Sequence, residues 1–161
     1  MFRPFLAALT FIVVSFSSGA LVADEIKATP DLLQVTEAIT SFQQAPLSGK
    51  GISAANVILA FAESSDQVEV ELYPPVFPWL GTEHYPPLSD VLTTAYVAGS
   101  IQDQLANDRK GDTTMPGVLM TLRVYEKIKA THSDYSLPVM ETLKEAEAEG
   151  KLRELLQLPT E

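Results

Sequence analysis

The chain has 161 residues, 11 Lys and Arg against 21 Asp and Glu, a net charge of −10 and no cysteine. At this length folding can bury about two-thirds of the chain's surface, and 46% hydrophobic with 20% charged residues is a globular composition rather than a disordered one. The acid excess argues against a nucleic-acid partner, whose counterions Lys and Arg must displace, and the lack of Cys excludes thiol catalysis, disulfides and the usual structural zinc sites.

Residues 1–23 read as a cleaved secretory signal. Arg3 supplies the basic start, Phe5 to Phe16 is an unbroken apolar and small-residue run, and Ser17-Ser18-Gly19-Ala20 offers small side chains for a peptidase. Cleavage after Ala20 or after Ala23 fits, and the apolar run is short for a membrane span of about 20 residues. Membrane contact is therefore expected only through the signal before cleavage, and no Cys follows the site to carry a lipid. The expected product is periplasmic: one mainly helical domain over 24–161, which without Arg3 has 10 bases against 21 acids.

Punctuation then divides this domain. Thr29-Pro30-Asp31 predicts a helix start, with a capping hydroxyl, a proline in the first turn and an acid at the positive helix end. Leu32, Val35, Ile39 and Phe42 recur at helical spacing up to Pro46, and Ser48-Gly49-Lys50-Gly51 reads as a loop. Residues 52–73 carry two signals. Ala54, Ala55, Ala60 and Ala62 suit a helix, whereas Val68-Glu69-Val70-Glu71-Leu72 alternates as a strand does. A short β-hairpin pairing 56–62 with 68–72 across Glu63-Ser64-Ser65-Asp66 is slightly favoured.

Residues 74–87 contain five prolines, which excludes a regular helix or a central strand there. Ser89-Asp90 predicts the start of a long helix with Val91, Leu92, Ala95, Tyr96, Ala98, Gly99 and Leu105 on its apolar side, and 107–114 is a polar loop. Pro116 opens a helix with Val118, Leu119, Leu122, Tyr125 and Ile128 inward, broken at His132-Ser133-Asp134. Leu137-Pro138 opens the last long helix, which Gly150 ends or weakens. The expected fold class is mainly α, a small bundle of four or more helices with an irregular proline/aromatic insert.

Chemistry is sparse. The two histidines, His84 and His132, lie on different segments, and neither has a second ligand at metal spacing; HExxH and GxSxG are absent. His84 beside Glu83 is the sole local acid–base pairing, and it reads more readily as a surface histidine. His132 suits a helix C-terminus, where an imidazole caps carbonyls. Neither catalysis nor a cofactor is expected. Phe77, Trp79, His84 and Tyr85 in the proline-stiffened insert are the candidate partner-binding residues, since rings held by proline lose little entropy on binding. The alternative is that these rings fold back and plug the bundle. The acids Glu141, Glu145, Glu147 and Glu149 read as a solvated face, or as a surface that steers a basic partner.

Tyr96-Val97-Ala98-Gly99 followed by Asp103, then Pro116-Gly117-Val118, then Tyr125, His132-Ser133-Asp134, Leu137-Pro138 and Leu143, resembles the Rap/Tai family of type VI secretion immunity proteins over roughly residues 88–150. The motif residues are Tyr96, Val97, Gly99, Asp103, Pro116 and His132. Thr94 and Met115 stand near positions where that family commonly has cysteines, and Ser133 replaces its usual proline. The resemblance implies a periplasmic helical protein that binds a cell-wall amidase effector and blocks its groove without a cofactor. A chaperone-like or other non-enzymatic binding domain with a different protein partner is the alternative, and a homodimer is a further candidate assembly.

Overall fold

A computed structural model describes residues 29–72, 76–80, 86–111 and 113–158. Among these residues six helices follow one another: α1 Leu32–Gln44, α2 Gly49–Ser64, α3 Pro86–Asn107, α4 Thr114–Thr131, α5 Pro138–Ala148 and the single turn α6 Leu152–Leu155. The mainly helical bundle expected from the periodicity is what forms, and no strand occurs among the described residues. The signal segment 1–23 lies outside them.

α1 starts two residues later than the Thr29-Pro30 signal suggests, because Asp31 makes a reciprocal cap. Its carboxylate accepts from the Gln34 N–H at 2.8 Å, and the Gln34 side chain accepts from the Asp31 N–H at 2.9 Å. Val35, Ala38, Ile39 and Phe42 face inward, while Leu32 stays half exposed. Ala45 ends the helix just before Pro46, whose ring cannot continue it.

The chain then folds straight back as α2. Ser48-Gly49-Lys50-Gly51 is thus not a loop: Ser48 is the N-cap, accepting from the Gly51 N–H at 3.0 Å. Glycine is needed at 51, where a Cβ would lie 2.1 Å from the Ala45 carbonyl oxygen. The β-hairpin expectation for 52–73 is corrected here, since residues 52–64 are helical and bury Ala54, Ile58 and Phe61 at helical spacing. The alternating segment 68–72 has no strand partner among the described residues. A side chain of α3 supplies its hydrogen bonds instead: Gln104, 1% exposed, accepts from the Glu69 N–H at 2.9 Å and donates to the Glu69 carbonyl at 2.8 Å.

α3 is the central helix. Residues 94–101 are buried without interruption, so it is covered on every side. It begins at Pro86, three residues before Ser89-Asp90, and prolines are tolerated there because first-turn N–H groups have no intrahelical acceptor. α4 crosses α3 at very close range. A Cβ at Gly99 would meet the Pro116 carbonyl oxygen at 2.5 Å and Met120 Cβ at 2.6 Å, and one at Gly117 would meet the Tyr96 ring at 2.6 Å.

α5 docks on α4 through Leu137, Met140 and Leu143. Gly150, with φ +71°, ends it and turns the chain into α6, which returns Leu152 and Leu156 to the core.

Candidate protein-binding surface

The insert between α2 and α3 is pinned by its own aromatic rings. Trp79 is 0% exposed and Phe77 is buried. Phe77 meets Trp79 edge-on at 5.3 Å between centroids and Tyr96 of α3 at 4.7 Å. The Trp79 Nε1–H points at Thr93 Oγ1 at 3.4 Å, and the Ser89 hydroxyl donates to the Trp79 carbonyl at 3.3 Å. Phe77 and Trp79 are therefore not the exposed contact residues expected of them. Large rings gain more by filling the gap beside α3 than by facing water. His84 and Tyr85, the other two candidates, lie outside the described residues.

The anchored insert turns leucines outward instead: Leu72 is 58% exposed and Leu80 is 53% exposed. They flank the buried rings in sequence, and Tyr96 ties the near end by donating its hydroxyl to the Glu71 carbonyl at 3.2 Å. Periodicity does not mark these residues, because Leu72 continues the face of the inward Val68 and Val70. A residue-level signal did exist for Gln104, a polar residue at the i+3 position after buried Ile101.

The remaining motif residues have visible structural work. Tyr96 and Val97 are core residues of α3, and Gly99 lets α4 approach through the Pro116 carbonyl. Asp103 braces the end of α3, accepting from Asn107 at 3.0 Å and pairing with Arg109 at 2.7 Å. His132 is exposed at the C-cap of α4, where its N–H donates to the Ile128 carbonyl at 2.8 Å. Its ring stacks on Tyr135 and meets Thr131 Oγ1 at 2.9 Å. Tyr96, Gly99 and Pro116 thus share one helix seam, while Asp103 and His132 stand at the C-terminal ends of two different helices.

An ionisable cluster joins α4 to α5. The Tyr125 hydroxyl donates to Glu141 Oε1 at 2.6 Å and accepts from the Leu137 N–H at 3.0 Å. Lys129 pairs with the same carboxylate oxygen. Burial, then the Glu141 hydrogen bond, pushes the Tyr125 phenol above its ordinary value. The Lys129 and Tyr125 hydrogen bonds hold Glu141 below the usual carboxylate range, and the Glu126 partner holds Lys144 above its ordinary value. Every member is engaged in fixing α5 on α4. Among the described residues, no group of three or more His, Asp or Glu is placed to hold a metal ion, and no helix is long and apolar enough to cross a membrane.

Comparison with known proteins finds no matching family model, no matching curated protein and no matching solved structure.

Proposed function

We propose that this chain is an exported, non-enzymatic binding protein of the immunity type, which sterically blocks a peptidoglycan amidase effector in the periplasm. The observation that carries the reading is the insert, pinned by Phe77 and Trp79 and presenting Leu72 and Leu80 to solvent. Apolar side chains held outward by neighbours that are themselves packed on the core lose little conformational entropy on entering a groove. The signal-like start and the Tyr96-Val97-Ala98-Gly99 to Leu143 motif order support the same reading. No covalent step is required; occupation of the groove is sufficient.

The test mixes the mature chain, from Asp24 onward, with purified type VI amidase effectors and follows hydrolysis of peptidoglycan cross-links. Stoichiometric inhibition and a one-to-one complex by native mass spectrometry are expected with a cognate effector. Leu72→Asp with Leu80→Asp weakens the complex by about tenfold or more, the loss of two apolar anchors, with unchanged far-UV circular dichroism. Absence of inhibition, with weak binding of many unrelated unfolded clients instead, replaces this reading by the chaperone-like one.

A further inference from the structure

We propose that the cavity between the α1–α2 turn and the C-terminal end of α4 binds the C-terminal residue of a peptide, taking its carboxylate, its amide N–H and an aliphatic side chain. The cavity has a volume of about 310 Å³, with residues 44–48 on one wall and Lys127, Ile128, Thr131 and His132 on the other. That is the small end of the range for ligand pockets, which suits a terminal residue rather than a folded segment.

Both walls are fixed by short-range contacts. On the first, the Ser48 hydroxyl accepts from the Gly51 N–H at 3.0 Å and donates to the Ala45 carbonyl at 2.7 Å. α2 lies tight against this turn, since a Cβ at Gly51 would meet the Ala45 and Pro46 carbonyl oxygens at 2.1 and 2.8 Å. On the second, the His132 N–H closes α4 on the Ile128 carbonyl, and the His132 ring stacks on Tyr135. Walls already ordered cost a ligand little reorganisation.

Each lining group supplies one kind of contact. Pro46 and Ile128 are buried and Leu47 packs on the core, which makes an aliphatic floor. Among the described lining residues, Lys127 and His132 carry the ionisable groups. Lys127 is exposed, and its ammonium attracts an anion. His132 selects a donor. The Thr131 hydroxyl has a single proton and gives it to the carbonyls of the preceding turn, Ile128 at 3.0 Å and Lys127 at 3.3 Å. In its 2.9 Å contact with His132 Nδ1 the ring is therefore the donor, and the neutral imidazole keeps Nε2 as an acceptor. A carboxylate, an N–H and an aliphatic body are the three features that an acylated C-terminal leucine presents together. None of these lining residues belongs to the insert, so the inference does not rest on the inhibitor reading.

The probe is N-acetyl-alanyl-leucine, titrated at millimolar concentration into the 15N-labelled mature chain. Expected are saturable amide shifts at Leu47, Ser48, Ile128 and His132. The C-terminal amide of the same peptide lacks only the carboxylate and binds about fivefold more weakly, the upper value for an exposed ion pair. Lys127→Gln lowers affinity for the parent peptide by the same factor. His132→Phe keeps a ring to stack on Tyr135 and weakens binding by about fivefold through one lost net hydrogen bond. Both positions are exposed, and unchanged far-UV circular dichroism checks that the variants fold. No saturable shift at these residues, equal binding of the amide, or affinity unmoved by both substitutions overturns the proposal. Free leucine binding more tightly than the acetylated peptide overturns it in favour of a free amino acid.

Discussion

Replacing Gly99 by alanine tests the closeness of the central helix pair. Alanine is favoured over glycine inside a helix by about 1 kcal/mol, so a loosely packed α3 would gain stability. Here the new Cβ would sit 2.5 Å from the Pro116 carbonyl oxygen, 2.6 Å from Met120 Cβ and 3.0 Å from Gly117 Cα. Two of these three neighbours are backbone and cannot rotate away, so α4 must retreat by about 1 Å to reach ordinary contact distance. Such overpacking costs roughly 1–3 kcal/mol, and the retreat also loosens the Tyr96 ring against Gly117. A net loss of about 1 kcal/mol is expected once the propensity gain is subtracted. With a urea m-value of about 2 kcal/mol/M, the unfolding midpoint falls by about 0.5 M. Gly49→Ala is the control, because no atom lies within 4 Å of its Cβ position; its midpoint stays level or rises. If the two variants unfold at the same urea concentration, the close α3–α4 crossing is refuted.

Other consequences are equally measurable. The single tryptophan is Trp79, so native emission is blue-shifted and resists acrylamide quenching, and Trp79→Ala costs about 3–5 kcal/mol through the cavity it leaves; a red-shifted, readily quenched native emission contradicts the buried insert. Gln104→Leu abolishes both bonds to Glu69 and is expected to remove amide-exchange protection at Glu69, with a loss of about 1–3 kcal/mol; retained protection would show that another group holds the segment. Glu141 has a lowered folded pKa, so its contribution is present above the unfolded carboxylate value of about 4.3 and disappears as pH falls through the lower folded value. Glu141→Gln is therefore less stable than the parent by about 1 kcal/mol at pH 7, discounted for a carboxylate one-third exposed, and the gap closes in acid; a gap independent of pH refutes the ion-pair account. Tyr125 has the opposite sign. Its raised folded pKa favours the folded state below the unfolded value of about 10, and that contribution is lost as pH rises through the folded value, which ultraviolet phenolate titration follows.

Much of the bundle was legible in local chemistry. Pro46, Pro116 and Leu137-Pro138 mark helix boundaries because a proline ring restricts φ and lacks an N–H wherever it occurs. The inward positions Val35, Ile39, Phe42, Val118, Leu122 and Ile128 follow from a 3.6-residue period that any amphipathic helix must show. What local pattern leaves undecided is the choice between partners that lie far apart in the chain. Val68 to Leu72 alternates as a strand does, yet its ladder is provided by Gln104, 35 residues away. The same limit governs the insert. A proline-rich segment with Phe77, Trp79 and Tyr85 reads equally as a contact loop or a plug. Only the gap beside Tyr96 and Thr93 of α3 turns Phe77 and Trp79 inward and leaves Leu72 and Leu80 outside. Sequence alone thus determined where helices start, stop and turn their apolar faces, because those are nearest-neighbour properties of the backbone. Tertiary structure decided which groups face a partner, because exposure depends on the space that distant elements leave unfilled.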